Sequence, residues 1–278
     1  MPFLIDDILS AQRELDKFRS TFHKHMNSGD HERFIFPFLC GSYFTYRKID
    51  VERIASIAKT VSKDPSYLDI GCGYGDFLEK VRQYLPNAEG MEKSVEMFFK
   101  LGRYKPDYIK IGDAYNGIEK KYDVIFVGWM EPGVDYRDKI AEKTEVIITT
   151  FDKGGQCGIN GGCEMEEFGY ERVANWITPS WIDVNTELMN KYYSKISDEI
   201  IKSLSELRGA HNLWYVYSKP KYKESIKKTL RSCLAYEKKK ENNGYDFENV
   251  LDEVGYRYLE NFNIGDKKLL LWDIVFND

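Results

Sequence analysis

The chain has 278 residues, 42% of them hydrophobic, and a formal net charge of −5. That length holds one large domain or two small ones, and the acidic balance argues against a general nucleic-acid binder, which carries a basic excess. Five cysteines (Cys40, Cys72, Cys157, Cys163 and Cys233) are too few and too scattered for a disulfide framework and fit a reducing compartment. No apolar run approaches a membrane span and the N-terminus lacks a signal-peptide core, so a cytoplasmic protein with no membrane partner is expected.

In chain order, Leu4, Ile8, Leu15, Phe18 and Phe22 mark one face of a helix predicted over 4–27. His23 and His25 are two apart and do not share a helix face, so with His31 they are read as surface or capping residues and no metal site is assigned. The next stretch is aromatic (Phe34, Phe36, Phe38, Tyr43, Phe44, Tyr46) and reads as core packing. Asp50 is placed as the N-cap of a helix over 51–61, and Asp64-Pro65 breaks the chain after it.

The informative stretch is Tyr67 to Leu78. A buried strand over 66–70 leads into glycines at 71, 73 and 75, then into a helix with Phe77, Leu78, Val81 and Leu85 on one stripe. Such a turn lets a ligand approach the backbone and offers it helix N-terminal N–H groups. A dinucleotide fingerprint would read G-x-G-x-x-G. Here position 76 is Asp, and Asp69 lies two residues before the first glycine. Acid on both sides of the turn repels a pyrophosphate and suits a cation better. The string D-x-G-x-G-x-G resembles the first motif of the class I S-adenosylmethionine (SAM) methyltransferases, where this turn wraps the methionine part of the sulfonium cofactor.

The following segments keep step with that resemblance. Ala88 to Glu92 reads as a second strand, Tyr108 to Ile111 as a third, Tyr122 to Val127 as an apolar central fourth and Glu145 to Phe151 as a fifth. Between the second and third, Ser94 is placed as the cap of a helix whose inner face carries Met97, Phe98 and Leu101. The resemblance implies that Asp69, Gly71, Cys72, Gly73 and Gly75 hold the cofactor's methionine part. It implies further that Glu92, with Lys93 beside it, meets the ribose hydroxyls, that Asp113 and Ala114 meet the adenine, and that Gly128 lies where cofactor and acceptor meet. After the fourth strand the amine and nucleobase methylases carry Asn/Asp-Pro-Pro-aromatic. This chain has Trp129-Met130-Glu131-Pro132 instead, which weakens an adenine- or glutamine-methylating reading. Glu131 and Trp129 become the candidates for the catalytic or acceptor-orienting role. The resemblance also makes Tyr43, Tyr46 and Arg47 candidates for a lid.

Residues 152 to 163 contain five glycines and are read as a substrate loop; Cys157 and Cys163 lack a second pair and are not assigned to zinc. Phe168, Tyr170, Trp176 and Trp181 either line an acceptor pocket or pack an insertion core. A helix is predicted over 186–208, a strand over 212–217, and a Lys-rich helix after Ser218 with Tyr222, Ile226, Leu230, Cys233 and Leu234 inward. A short helix over 246–253 and strands over 256–263 and 268–276, joined at Gly265-Asp266, are expected to close the sheet.

The implied fold is α/β: a doubly wound seven-stranded sheet, mostly parallel with an antiparallel last strand, with helices on both faces. Its expected parts are a helical extension (1–50), the SAM-binding core (51–151), an acceptor-recognising insertion after strand five (152–245) and a closing helix and strand pair (246–278). The implied function is methyl transfer from S-adenosyl-L-methionine to a small-molecule or protein acceptor, with the oligomeric state open. A non-catalytic module of the same fold, an RNA methyltransferase and an NAD-dependent oxidoreductase are the alternatives.

Overall fold

Short apolar runs, each followed by a turn and an amphipathic segment, dictate strands that pair in parallel and bury both faces. In the computed structural model, which describes residues 4–22, 39, 44–94, 104–152, 158, 163–179, 184, 212–237, 263–264, 267–268 and 271–277, they do so. The helices are α1 (Ile5–Phe22), α2 (Lys48–Val61), α3 (Asp76–Arg82), α4 (Arg137–Ala141) and α5 (Pro220–Glu237). The strands are β1 (Tyr67–Ile70), β2 (Glu89–Glu92), β3 (Ile109–Ile111), β4 (Val124–Gly128), β5 (Val146–Asp152), β6 (Glu171–Thr178), β7 (Asn212–Ser218), β8 (Asn263–Ile264), β9 (Lys267–Lys268) and β10 (Val275–Phe276).

The chain divides into two packing units, residues 1–48, 178–212 and 243–272 in one and 49–177, 213–242 and 273–278 in the other. In the first, Ile8 and Ala11 of α1 are buried. Phe44 meets Tyr46 edge to face at 5.8 Å, and the Arg47 guanidinium stands 5.2 Å from the centre of the Trp272 ring. Tyr46 and Arg47, the expected lid residues, are buried there; Tyr43 lies outside the described residues.

The second unit holds the sheet, in the order β10-β6-β7-β5-β4-β1-β2-β3. β1 pairs in parallel with β2 and β4, β2 with β3, and β4 with β5. β7 runs the other way: Lys219, just past its end, donates its N–H to the carbonyl of Glu145, just before β5 begins. β10 pairs antiparallel with β6. One face buries Leu68, Ile70, Ile125, Val127, Ile147 and Tyr217 against Ile118, Tyr136, Ile140 and Tyr170. The other is aromatic, with Phe126 between Phe77 and Trp214 and with Trp176 stacked on Trp214 at 5.5 Å. Each such fully buried large side chain contributes about 1.5–3 kcal/mol. Ser66 donates both its N–H and its hydroxyl to the Asp123 carboxylate, clamping the start of β1 to β4.

The expected mostly parallel, doubly wound sheet is therefore present, with eight strands among the described residues where seven are expected. Three details correct the sequence reading. The stretch 152–245, expected as an insertion, supplies β6 and β7 to the sheet itself. The strand expected over 268–276 is two strands in different sheets, because Trp272 takes a left-handed φ of 63° and breaks the run. Asp50 is not an N-cap: α2 begins at Lys48, and Asp50 is buried inside it, 3.8 Å from Arg53. The helix expected after Ser94, with Met97, Phe98 and Leu101, and those over 186–208 and 246–253 lie outside the described residues, as do Trp181 and residues 256–262 of the strand expected over 256–263. No helix among the described residues is long and apolar enough to cross a membrane.

Candidate functional site

The order β4-β1-β2 reverses the direction of chain travel at β1. Loops leaving the carboxyl ends of β1 and β4 therefore diverge and open a crevice, the usual ligand position in an open α/β sheet. The glycine turn and the Trp129–Glu131 segment both leave from here.

Gly71, Gly73 and Gly75 all have left-handed φ (69°, 57° and 86°), which glycine adopts without steric cost. Their surroundings differ. A Cβ on Gly71 or Gly73 would meet nothing within 4 Å, whereas one on Gly75 would stand 2.6 Å from Cδ1 of Ile109. Gly75, the N-cap of α3, is thus a packing glycine, and the first two leave open space above the backbone. Gly71 donates its N–H to the Met91 carbonyl at 2.8 Å, seating the turn on the end of β2.

Glu92 is buried, and its carboxylate accepts from the N–H of Gly73 at 3.1 Å and from the N–H of Ser94 at 3.0 Å. Each oxygen keeps a further acceptor site. Ser94 therefore donates to Glu92. Asp69 is also buried, in the middle of β1. Burial raises its carboxyl well above the usual range and the neighbouring Glu92 charge adds to this. Burial likewise pushes the Cys72 thiol up, with Asp69 and Glu92 adding. Two neighbouring carboxyl groups, Asp69 and Glu92, thus lie behind the turn, with Asp69 driven toward its protonated form.

Asp113 is exposed and caps the 3-10 turn Ala114–Asn116 by accepting from the N–H of Tyr115 at 2.9 Å; Ala114 is buried beneath it. At the end of β4, Gly128 is half-buried and Trp129 has a left-handed φ of 72°. That conformation is an outlier for so bulky a residue and stores strain of the kind found at functional positions. It is held by the Trp129 N–H bonding to the Thr150 carbonyl at 3.1 Å. The Trp129 ring packs beside Phe151, Leu213, Tyr215 and Ile177.

Glu131 is not a lone carboxylate. It forms an ion pair with Lys93, both side chains being about half exposed. Sequence spacing carries no trace of this pairing, because the partners follow different strands. Tyr136 is a second residue that the motifs do not reveal. Its buried phenol is pushed up, first by desolvation and then by the charges of Cys163, Asp113, Glu131 and Glu92. By contrast, Tyr170 and Trp176 are core residues: Tyr170 donates its hydroxyl to the Thr144 carbonyl at 2.6 Å, and Trp176 is 1% exposed. Phe168 packs half-buried on the same core, under Arg137. Of the glycine loop after β5, only Gly158 and Cys163 are described. Gly158 donates to the Met130 carbonyl and accepts from the Gly133 N–H, which ties that loop to the β4 loop; Cys163 is buried.

A parallel doubly wound sheet, an antiparallel β7, and an acidic D-x-G-x-G-x-G turn at the switch point occur together. This is the doubly wound α/β arrangement that the sequence reading expects. No family model matches the sequence, and no curated protein matches it. Among solved structures, the Streptomyces venezuelae protein DesVI aligns at 20% identity and a TM-score of 0.31, over 37% of this chain. The match spans about half of DesVI, 49%. The plantazolicin methyltransferase BpumL, solved with a monoazolic desmethylPZN analogue and S-adenosylhomocysteine (SAH), aligns at 16% identity and a TM-score of 0.39, over 77% of this chain and 95% of BpumL. Coclaurine N-methyltransferase, solved with N-methylheliamine and SAH, aligns at 13% identity and 0.36, over 61% of this chain and 70% of its own.

Proposed function

We propose that this chain is a SAM-dependent methyltransferase acting on a small-molecule or protein acceptor. The observation that carries the reading is the turn after β1. Gly71 and Gly73 leave open space where a side chain would stand, and the Glu92 carboxylate is fixed against the same turn. The residues fit the cofactor's parts. The Gly71–Gly73 backbone and Asp69 would hold the methionine portion, Glu92 the ribose hydroxyls through its remaining lone pairs, and Asp113 with Ala114 the adenine.

Bound there, the sulfonium would supply an electrophilic methyl carbon for an acceptor nucleophile held in line with its bond to sulfur. The chain's task is alignment. Trp129 and Glu131, at the end of β4, would orient the acceptor. A base is needed only where the acceptor must lose a proton, and Glu131 would serve only once freed from Lys93. The Lys-rich helix α5 favours nucleic acid less than its composition suggests. Lys221 and Lys223 pair with Glu145 and Glu171, and Lys227 is buried.

Calorimetric titration with SAM and SAH tests the reading. Binding of both is expected; no heat and no thermal shift with either removes it. A non-catalytic module of this fold is the second reading, motivated by the engagement of Glu131 with Lys93. It predicts binding without turnover, so methyl transfer from labelled SAM to an acceptor, lost in Trp129→Ala or Glu131→Gln, rejects it.

A further inference from the structure

Lys93 directly follows β2, and Glu131 lies just past the end of β4. In the sheet these strands flank β1. With strands about 4.8 Å apart, the ends of β2 and β4 are roughly 10 Å apart. A lysine and a glutamate reach across that gap, and here they do, as an ion pair. The pair therefore crosses over the carboxyl end of β1, where the Gly71–Gly75 turn departs. Its side chains are 51% and 52% exposed, so it stands at the mouth of the crevice and is not built into the core. A pair this exposed contributes little to stability and exchanges readily.

A ligand entering the crevice meets this pair. A cation competes with the Lys93 ammonium for the Glu131 carboxylate, whereas a ligand without that charge finds the carboxylate already neutralised. We propose that Lys93 and Glu131 form a charge-selective strap across the crevice, which a cationic ligand opens by taking over Glu131 and a neutral analogue does not. The inference rests on the cofactor reading above and deepens it. It makes this pair the determinant that separates sulfonium-bearing SAM from its thioether product, SAH, and it favours release of that product after transfer.

The test is calorimetric binding of SAM and of SAH to the full chain and to two variants, with far-ultraviolet circular dichroism as the folding control. Lys93→Met is expected to tighten SAM by about two- to fivefold, the range set by a half-exposed charge pair, and to leave SAH unchanged. Glu131→Gln is expected to weaken SAM by a similar factor, again with SAH unchanged. Added salt should move the wild-type ratio of the two affinities toward that of Glu131→Gln. If the variants shift SAM and SAH in parallel, or shift neither, the strap is not charge-selective while the cofactor reading stands. If the wild type binds neither ligand, the cofactor reading fails and takes the strap with it.

Discussion

Replacing Gly73 by valine separates a ligand-access role from a packing role. The backbone there has φ 57°, a region that disfavours a branched side chain by about 1–2 kcal/mol. A Cβ at this position would meet no atom within 4 Å, so no overpacking term is added. At about 2–4 °C per kcal/mol for a unit of 150–250 residues, the melting temperature should fall by roughly 2–8 °C and the protein should stay folded. Gly75→Val carries the same backbone strain and a Cβ 2.6 Å from Ile109. Overpacking there adds about 1–3 kcal/mol, so its loss should be clearly larger. Binding should not follow stability. At Gly73 the valine methyls project into the open space above the turn, and SAM affinity should fall by more than tenfold, a change of about 1.4 kcal/mol or more. Differential scanning fluorimetry and calorimetric titration of both variants measure the two effects. A folded Gly73→Val protein with unchanged SAM affinity would show that the ligand does not lie over this turn. A melting loss as large as that of Gly75→Val would refute the open-space argument.

Two further outcomes follow from buried charge. Arg53 is 1% exposed, donates to both oxygens of Glu237 at 2.8 and 2.7 Å, and lies 5.2 Å from the centre of the Trp176 ring; Arg53→Ala strands buried acid and should destabilise by about 3–5 kcal/mol in chemical denaturation, and a loss under 1 kcal/mol would mean the tie is dispensable. Asp69 holds its proton to higher pH in the folded protein than in the unfolded chain. Between the unfolded carboxyl pKa of about 3.9 and that raised value the native state binds more protons, so its contribution lowers stability as pH rises. Asp69→Asn has no proton to lose and should gain on the wild type in melting temperature from pH 4 to pH 7; a difference that does not change with pH would contradict the assignment.

The sequence showed β1, β4 and β5 clearly because each is a short, largely apolar run ended by a turn residue, as at Ile70-Gly71 and Val127-Gly128; β2 and β3, which carry Glu89, Glu92 and Lys110, are legible only by their place after the glycine turn. It showed the cofactor-side residues because they follow those strands directly. β6 was hidden: Glu171, Arg172 and Asn175 interrupt its apolar alternation, and its buried members Val173, Ala174 and Trp176 look like a packing patch. With β6 unseen, β7 reads as part of an insertion. The Lys93–Glu131 pair was illegible for a different reason: nothing local relates a residue after β2 to one after β4 until the sheet order is known. The left-handed Trp129 was equally silent, since no residue type announces strain imposed by its neighbours.

The position of β7 constrains how this sheet is assembled. β1 to β5 join one continuous sheet in the order in which they are made, so every new strand finds a partner already waiting. β6 does not: in the finished sheet it touches β7 on one side and β10 on the other, and both come later in the chain. From the time residue 178 leaves the ribosome until residue 218 does, β5 keeps an open edge and β6 has no strand to pair with. Unpaired edges of this kind recruit foreign strands. The 33 residues between β6 and β7 therefore set a window during synthesis in which this protein is most exposed to misassembly, and a chain arrested within that window should be the form that a chaperone holds.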